Sequence, residues 1–158
     1  MYKTKIDLAE KTRRNIVAIL NDRLAEAIDL QSQVKQAHWN VKGPHFIALH
    51  ELFDKISDAV LEQIDEIAER VRKIGGVTIR SIGHIARLQR IADNDADYVE
   101  PADMLSELKE DEKALDLRMR AVHSLCDDAD DVATASLLEN WIDQTQRRAW
   151  FLFETTRR

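Results

Sequence analysis

The chain has 158 residues but only one cysteine, four glycines and two prolines. A single Cys126 excludes an internal disulfide framework, and with it the small secreted scaffolds that depend on one. So few helix breakers argue against a strand-and-turn fold and for long helices. No apolar run approaches the roughly 20 residues of a membrane span. The opening MYKTKIDLAEKTRR has no apolar core of the signal-peptide kind. The expectation is a globular protein of the cytoplasm, one domain over 1–158 with a short tail at 1–6. With 44% hydrophobic and 33% charged residues it has the material for a core.

The charge is uneven. Residues 91–116 hold ten acids against Lys109 and Lys113, a net of −8, whereas residues 1–14 hold five bases against two acids. Such runs are ordinarily solvated faces. The acidic body should repel nucleic acid at long range.

Helical spacing recurs in four stretches. Val17, Leu20, Leu24, Ala27, Gln31, Val34 and His38 mark a helix over about 5–39. Phe46, Leu49, Phe53, Ile56, Val60, Ile64, Ile67, Val71 and Ile74 mark a second over about 45–74, which Gly75-Gly76 ends. A third starts near Pro101 with the stripe Leu105, Leu108, Glu112, Leu115, Met119, Val122 and Cys126. A fourth starts near Asp130–Asp131 with Leu138, Trp141, Thr145, Ala149 and Leu152. The segment between the second and third is long enough to cross a bundle, and SIGHIARLQ can form a short helix on the way. The pattern predicts an all-α four-helix bundle with one long crossover between helices two and three, as in ferritin-like folds.

HELFD begins and ends with the metal-binding types His50 and Asp54; DEIAE does so with Asp65 and Glu69. At ~100° per residue, and with His50 at zero, these four fall near ~40° (Asp54), ~60° (Asp65) and ~100° (Glu69), one face of one helix. Yet Asp54 and Asp65 are ~16 Å apart along the axis, while metal–ligand bonds are about 2 Å. Either these are separate weak sites, or a second copy of the helix runs antiparallel across a two-fold axis. The matched angles and spacing favour the two-fold. His38, at the end of the first helix, can reach the His50 end; taken alone it would be a dipole-stabilising C-terminal histidine, but with His50 and Asp54 nearby the ligand reading is favoured. Two imidazoles and three carboxylates suit iron, manganese or zinc, not copper(I) or an iron–sulfur cluster. The residues three before His38, His50, His84 and His123 are Lys35, Ile47, Ser81 and Arg120, so a Glu-x-x-His di-metal site within one bundle is not expected.

At KQAHWNVKGPHFIALHELFD and DEIAERVRKIGGV, residues 35–77, and again at ENWIDQTQRRAWFL, the chain resembles the Dps family, the mini-ferritins. The resemblance implies a ferritin-like bundle assembled as a hollow homo-dodecamer. It further implies a ferroxidase site of His38, His50 and Asp54 from one subunit with Asp65 and Glu69 from its two-fold partner. Iron and hydrogen peroxide would be the substrates, iron(II) being oxidised and iron(III) stored, which protects DNA and cell. Asp127, Asp128 and Asp131 would guide iron at acidic pores, where helix capping explains each equally well. Glu51, Asp58 and Glu62 would nucleate mineral, though an ordinary surface acid is the expectation for each. Trp39 follows a ligand and could intercept stray oxidant; core packing is the expectation for it. Family members that bind DNA often use a lysine-rich mobile tail. Here only Lys3 and Lys5 precede Asp7 and Glu10, so DNA binding is not expected, and a nucleoid-coating protein is the alternative function.

Overall fold

The computed structural model describes residues 1–157; Arg158, the last position of the expected 1–158 unit, lies outside them. Five helices follow in order: α1 Glu10–Asn40, α2 Phe46–Lys73, α3 Ile82–Arg87, α4 Pro101–Asp128 and α5 Val132–Thr156. No strand occurs among the described residues. The four long helices form the expected bundle. α1 packs mainly on α2 and α4 mainly on α5, α1 also meets α4, and α3 rides on α1 within the crossover.

The apolar stripes face inward as spaced, except that Phe46, at the start of the α2 stripe, is exposed. All seven stripe positions of α4 are buried, Glu112 and Cys126 included. Burial pushes the Cys126 thiol up to about 11, which leaves it a packing residue without thiolate chemistry. The stripe of α5 runs Leu138, Trp141, Thr145, Arg148, Leu152, all buried. It passes through Arg148, not the half-buried Ala149 expected there.

Helix ends follow local chemistry. Gly75 takes φ +89° and stops α2; a Cβ there would lie 2.7 Å from the Tyr2 carbonyl oxygen. Ser81 Oγ accepts from His84 N at 3.1 Å and starts α3. Asp131 caps α5 by accepting from Thr134 N at 3.2 Å.

The first helix starts later than the expected residue 5. Residues before Glu10 instead run back across the end of α2. Tyr2 N donates to Gly75 O at 2.7 Å. Arg13, buried, donates to the carbonyls of Leu8 (3.2 Å), Tyr2 (3.3 Å) and Ile74 (3.2 Å). These bonds give the backbone of Tyr2 and Leu8 partners that a further helical turn would have to match.

Nor is the acidic stretch 91–116 entirely a solvated face. Glu112 is fully buried against Arg148. Asp111 turns toward Asp29 and Glu26 of α1 and toward Glu107 and Glu112 of α4, and burial first, then these charges, push its carboxyl up to about 6. The charged form is therefore penalised in the folded state. Stability should fall as pH rises from the ordinary carboxylate range through about 6, and stay lowered above it. Asp111→Asn should then raise the melting temperature at pH 7, by about 2–4 °C per kcal/mol recovered, with the gain vanishing near pH 4, the carboxylate's own range. Thermal melts of both proteins at the two pH values check this.

Candidate metal centre

The site begins where α1 ends and α2 returns beside it. His38, in the last turn of α1, and His50, in the second turn of α2, stack with ring centroids 3.7 Å apart and planes at 19°. Their hydrogen bonds cross. His38 Nδ1 lies 2.8 Å from the His50 carbonyl oxygen, and His50 Nδ1 lies 2.8 Å from the His38 carbonyl oxygen. A carbonyl can only accept, so both Nδ1 atoms are donors. In the neutral rings both Nε2 atoms then keep their lone pairs, the state a metal ligand needs. The ring of Phe46 lies 4.9 Å from that of His50 and covers the stack on one side.

Asp54, one turn beyond His50, completes this half. Its Oδ1 is 3.8 Å from His38 Nε2. It also takes a hydrogen bond from Lys35 Nζ, and that bond, more than the nearby positive charge, holds the carboxyl below the usual carboxylate range. Asp54 is thus kept ionised and aimed at the imidazoles. Sequence spacing shows no sign of Lys35's part, because the lysine reaches it from the other helix.

Asp65 and Glu69 lie farther along α2, both exposed. Glu69 takes a hydrogen bond from Lys73 at 3.2 Å; no side-chain partner of Asp65 is found among the described residues. The structure therefore brings together His38, His50 and Asp54 and leaves Asp65 and Glu69 apart from them. Within one chain, no group of three or more His, Cys, Asp or Glu side chains is placed to hold a metal ion among the described residues. His38, His50 and Asp54 offer two imidazoles and a carboxylate held by Lys35, whereas Asp65 and Glu69 offer two carboxylates.

The remaining candidates separate by burial. Glu51, Asp58 and Glu62 are exposed on α2. Asp127 and Asp128 are exposed at the end of α4, but Asp131 is 3% exposed and is held by Arg70 Nη2 at 2.7 Å and by Thr134 Oγ1. Its carboxylate is committed to tying α2 to the start of α5. Trp39, expected to pack in the core, is instead 66% exposed beside the histidine pair. It is the last-turn neighbour of His38 and sits on the outward side of α1, left largely uncovered by the described residues.

Residues 17–158 match the family model described as Ferritin-like domain. The chain is 34% identical over 151 residues to a protein of Agrobacterium fabrum named DNA protection during starvation protein, covering 96% of this chain and 93% of that one. Among solved structures, DpsC from Streptomyces coelicolor superposes with a TM-score of 0.96 at 29% identity, covering 99% of this chain and 91% of that one. A Dps protein from Bacillus brevis does so with 0.89 at 27% identity, covering 95% and 100%.

Proposed function

The chain belongs to the ferritin-like family, in its Dps branch, and from that premise we propose that it is a ferroxidase and iron store whose sites are shared between two copies of itself. Membership implies iron storage and ferroxidase-type chemistry. The finer reading is that iron(II) binds where His38, His50 and Asp54 of one subunit face Asp65 and Glu69 of its two-fold partner. Hydrogen peroxide is the preferred oxidant, and iron(III) is stored inside a hollow homo-dodecamer in the cytoplasm.

One observation carries this reading: the crossed hydrogen bonds that leave two stacked imidazoles with free Nε2 atoms next to an ionised Asp54. A histidine that merely stabilised a helix end would have no reason to be matched by a second, stacked and reciprocally bonded. The half-site is built but incomplete, and the acids that would complete it begin ~16 Å farther along the same face of α2. An antiparallel partner helix brings them in.

The chemistry balances. Two iron(II) ions each give one electron; peroxide takes two electrons and two protons and becomes two waters, so no hydroxyl radical is released. Carboxylates favour the product because they stabilise the higher charge of iron(III). Asp127 and Asp128, exposed at the end of α4, would draw iron(II) toward the shell by attraction. Glu51, Asp58 and Glu62 are exposed acids available to growing mineral. Removing iron(II) and peroxide together is how such a protein would protect DNA without touching it. Against the alternative, a shell that coats the nucleoid, stands the tethering of the basic residues near the N-terminal end of the described segment. Lys3 and Lys5 lie on a segment tied down at Tyr2 and, through Thr4 Oγ1 at 3.5 Å, at the Lys73 carbonyl.

The test measures solution mass and peroxide-driven loss of iron(II) on the same sample. The expected result is a large homo-oligomer that consumes about one peroxide per two iron(II), the ratio set by the electron count. A stable monomer with full turnover would overturn the reading.

A further inference from the structure

Resting on that two-fold reading, we propose that the N-terminal segment, Tyr2–Leu8, is an intersubunit clamp: latched to its own chain by Arg13, it sets Tyr2 against Ile47 of a second copy and closes the end of the shared site.

The register comes from the site itself. If His50 meets Glu69 and Asp54 meets Asp65 across a two-fold, the same antiparallel pairing sets Asp58 opposite Leu61 and Ile47 opposite Arg72. The faces agree as well as the register. With His50 at zero, Ile47 falls at ~60° and Arg72 at ~40°, Leu61 at ~20° and Asp58 at ~80°, all within the arc of the proposed ligands. Two of these four are large apolar side chains left in water by the single chain: Ile47 is 65% exposed and Leu61 54%. Both stand on the face of α2 that carries the proposed ligands, and an antiparallel second copy of α2 in this register would cover both.

Arg72 does not stand alone at its end of the face. Its guanidinium carbon lies 4.7 Å from the centre of the Tyr2 ring, and its Nη1 donates to Gly76 O at 2.6 Å. Tyr2 is itself 56% exposed although its backbone is fixed on both sides, by Tyr2 N to Gly75 O and by Arg13 Nη1 to Tyr2 O. A rigid backbone presenting a half-exposed aromatic ring is a surface prepared for contact, since little ordering entropy is left to lose. What the register brings to it is Ile47, one turn before His50. The ring and the isoleucine would bury each other and screen the histidine end of the site from bulk water.

Disulfide trapping tests this directly. Cys126 is buried, so introduced pairs report alone. Asp58→Cys with Leu61→Cys reads the α2–α2 register; Tyr2→Cys with Ile47→Cys reads the clamp. Under mild oxidation both pairs should give a covalent dimer on a non-reducing gel, absent from each single variant. Adding Arg13→Gln to the second pair should largely remove its dimer while the first pair, with the same addition, still links. Linkage of the first pair without the second overturns the clamp and leaves the shared site standing. Failure of the first pair, whatever the second does, overturns the register and the clamp with it. Full linkage of the second pair despite Arg13→Gln overturns the latch.

Discussion

Replacing Asp65 and Glu69 together by alanine should lower peroxide-driven iron(II) oxidation by ~100-fold or more, because loss of even a supporting partner of a metal ligand costs about 10–100-fold. Helix content should not change, since both side chains are exposed. The same loss is expected from replacing His50 and Asp54. Neither result alone says that the halves belong to different chains. Mixing does. When the two dead variants are co-expressed, random pairing makes about half of all dimers mixed. Each mixed dimer has one site with both halves intact and one with neither. Activity should therefore return to about a quarter of the wild-type value. If each chain carried its own complete site, the mixture would be as inactive as its parts. Recovery from two inactive proteins is hard to obtain by any route other than a shared centre.

Much of this was legible before any coordinates, and for a local reason. Helix periodicity depends on neighbours three and four residues apart, so α4's buried face, from Leu105 to Cys126, could be read off directly, as could the shared face of His50, Asp54, Asp65 and Glu69. What could not be read is what each residue meets from elsewhere. Lys35 reaches Asp54 from another helix, and Arg70 claims Asp131 over a separation of 61 residues. The bonds that hold Tyr2 to Gly75 are equally distant in sequence. One signal was available and unused. A glutamate within an apolar stripe demands a buried cation, and the spacing 138, 141, 145, 148, 152 names Arg148 as the stripe member that could supply it. Trp39 shows the same limit: its exposure depends on how α1 packs against its neighbours, which spacing along α1 does not give.

That buried cation should produce the largest loss of stability. Glu112 is fully buried and Arg148 is 4% exposed; Arg148 Nε and Nη2 donate to the two carboxylate oxygens at 2.7 and 3.0 Å. Burial pushes the Glu112 carboxyl up and the guanidinium pulls it back. Arg148→Met leaves the carboxylate buried without its partner, a change that costs about 3–5 kcal/mol and lowers the melting temperature by roughly 2–4 °C for each of them. Adding Glu112→Leu should restore most of the loss, because removing both charges also removes the desolvation that the pair had to offset. Both melts belong at one protein concentration, since assembly also stabilises. A second effect separates the single variant from an ordinary core defect. Arg148 Nη2 also donates to Gln63 Oε1 at 3.3 Å, and Gln63 Nε2 donates to Trp141 O at 3.2 Å, which ties α5 to the middle of α2. Gln63 lies between the two halves of the proposed site. If α2 must be held straight for Asp54 to face the partner's carboxylates, Arg148→Met should slow iron oxidation well below its melting point. The double variant should recover stability more fully than rate, because leucine and methionine refill the core but do not bond to Gln63.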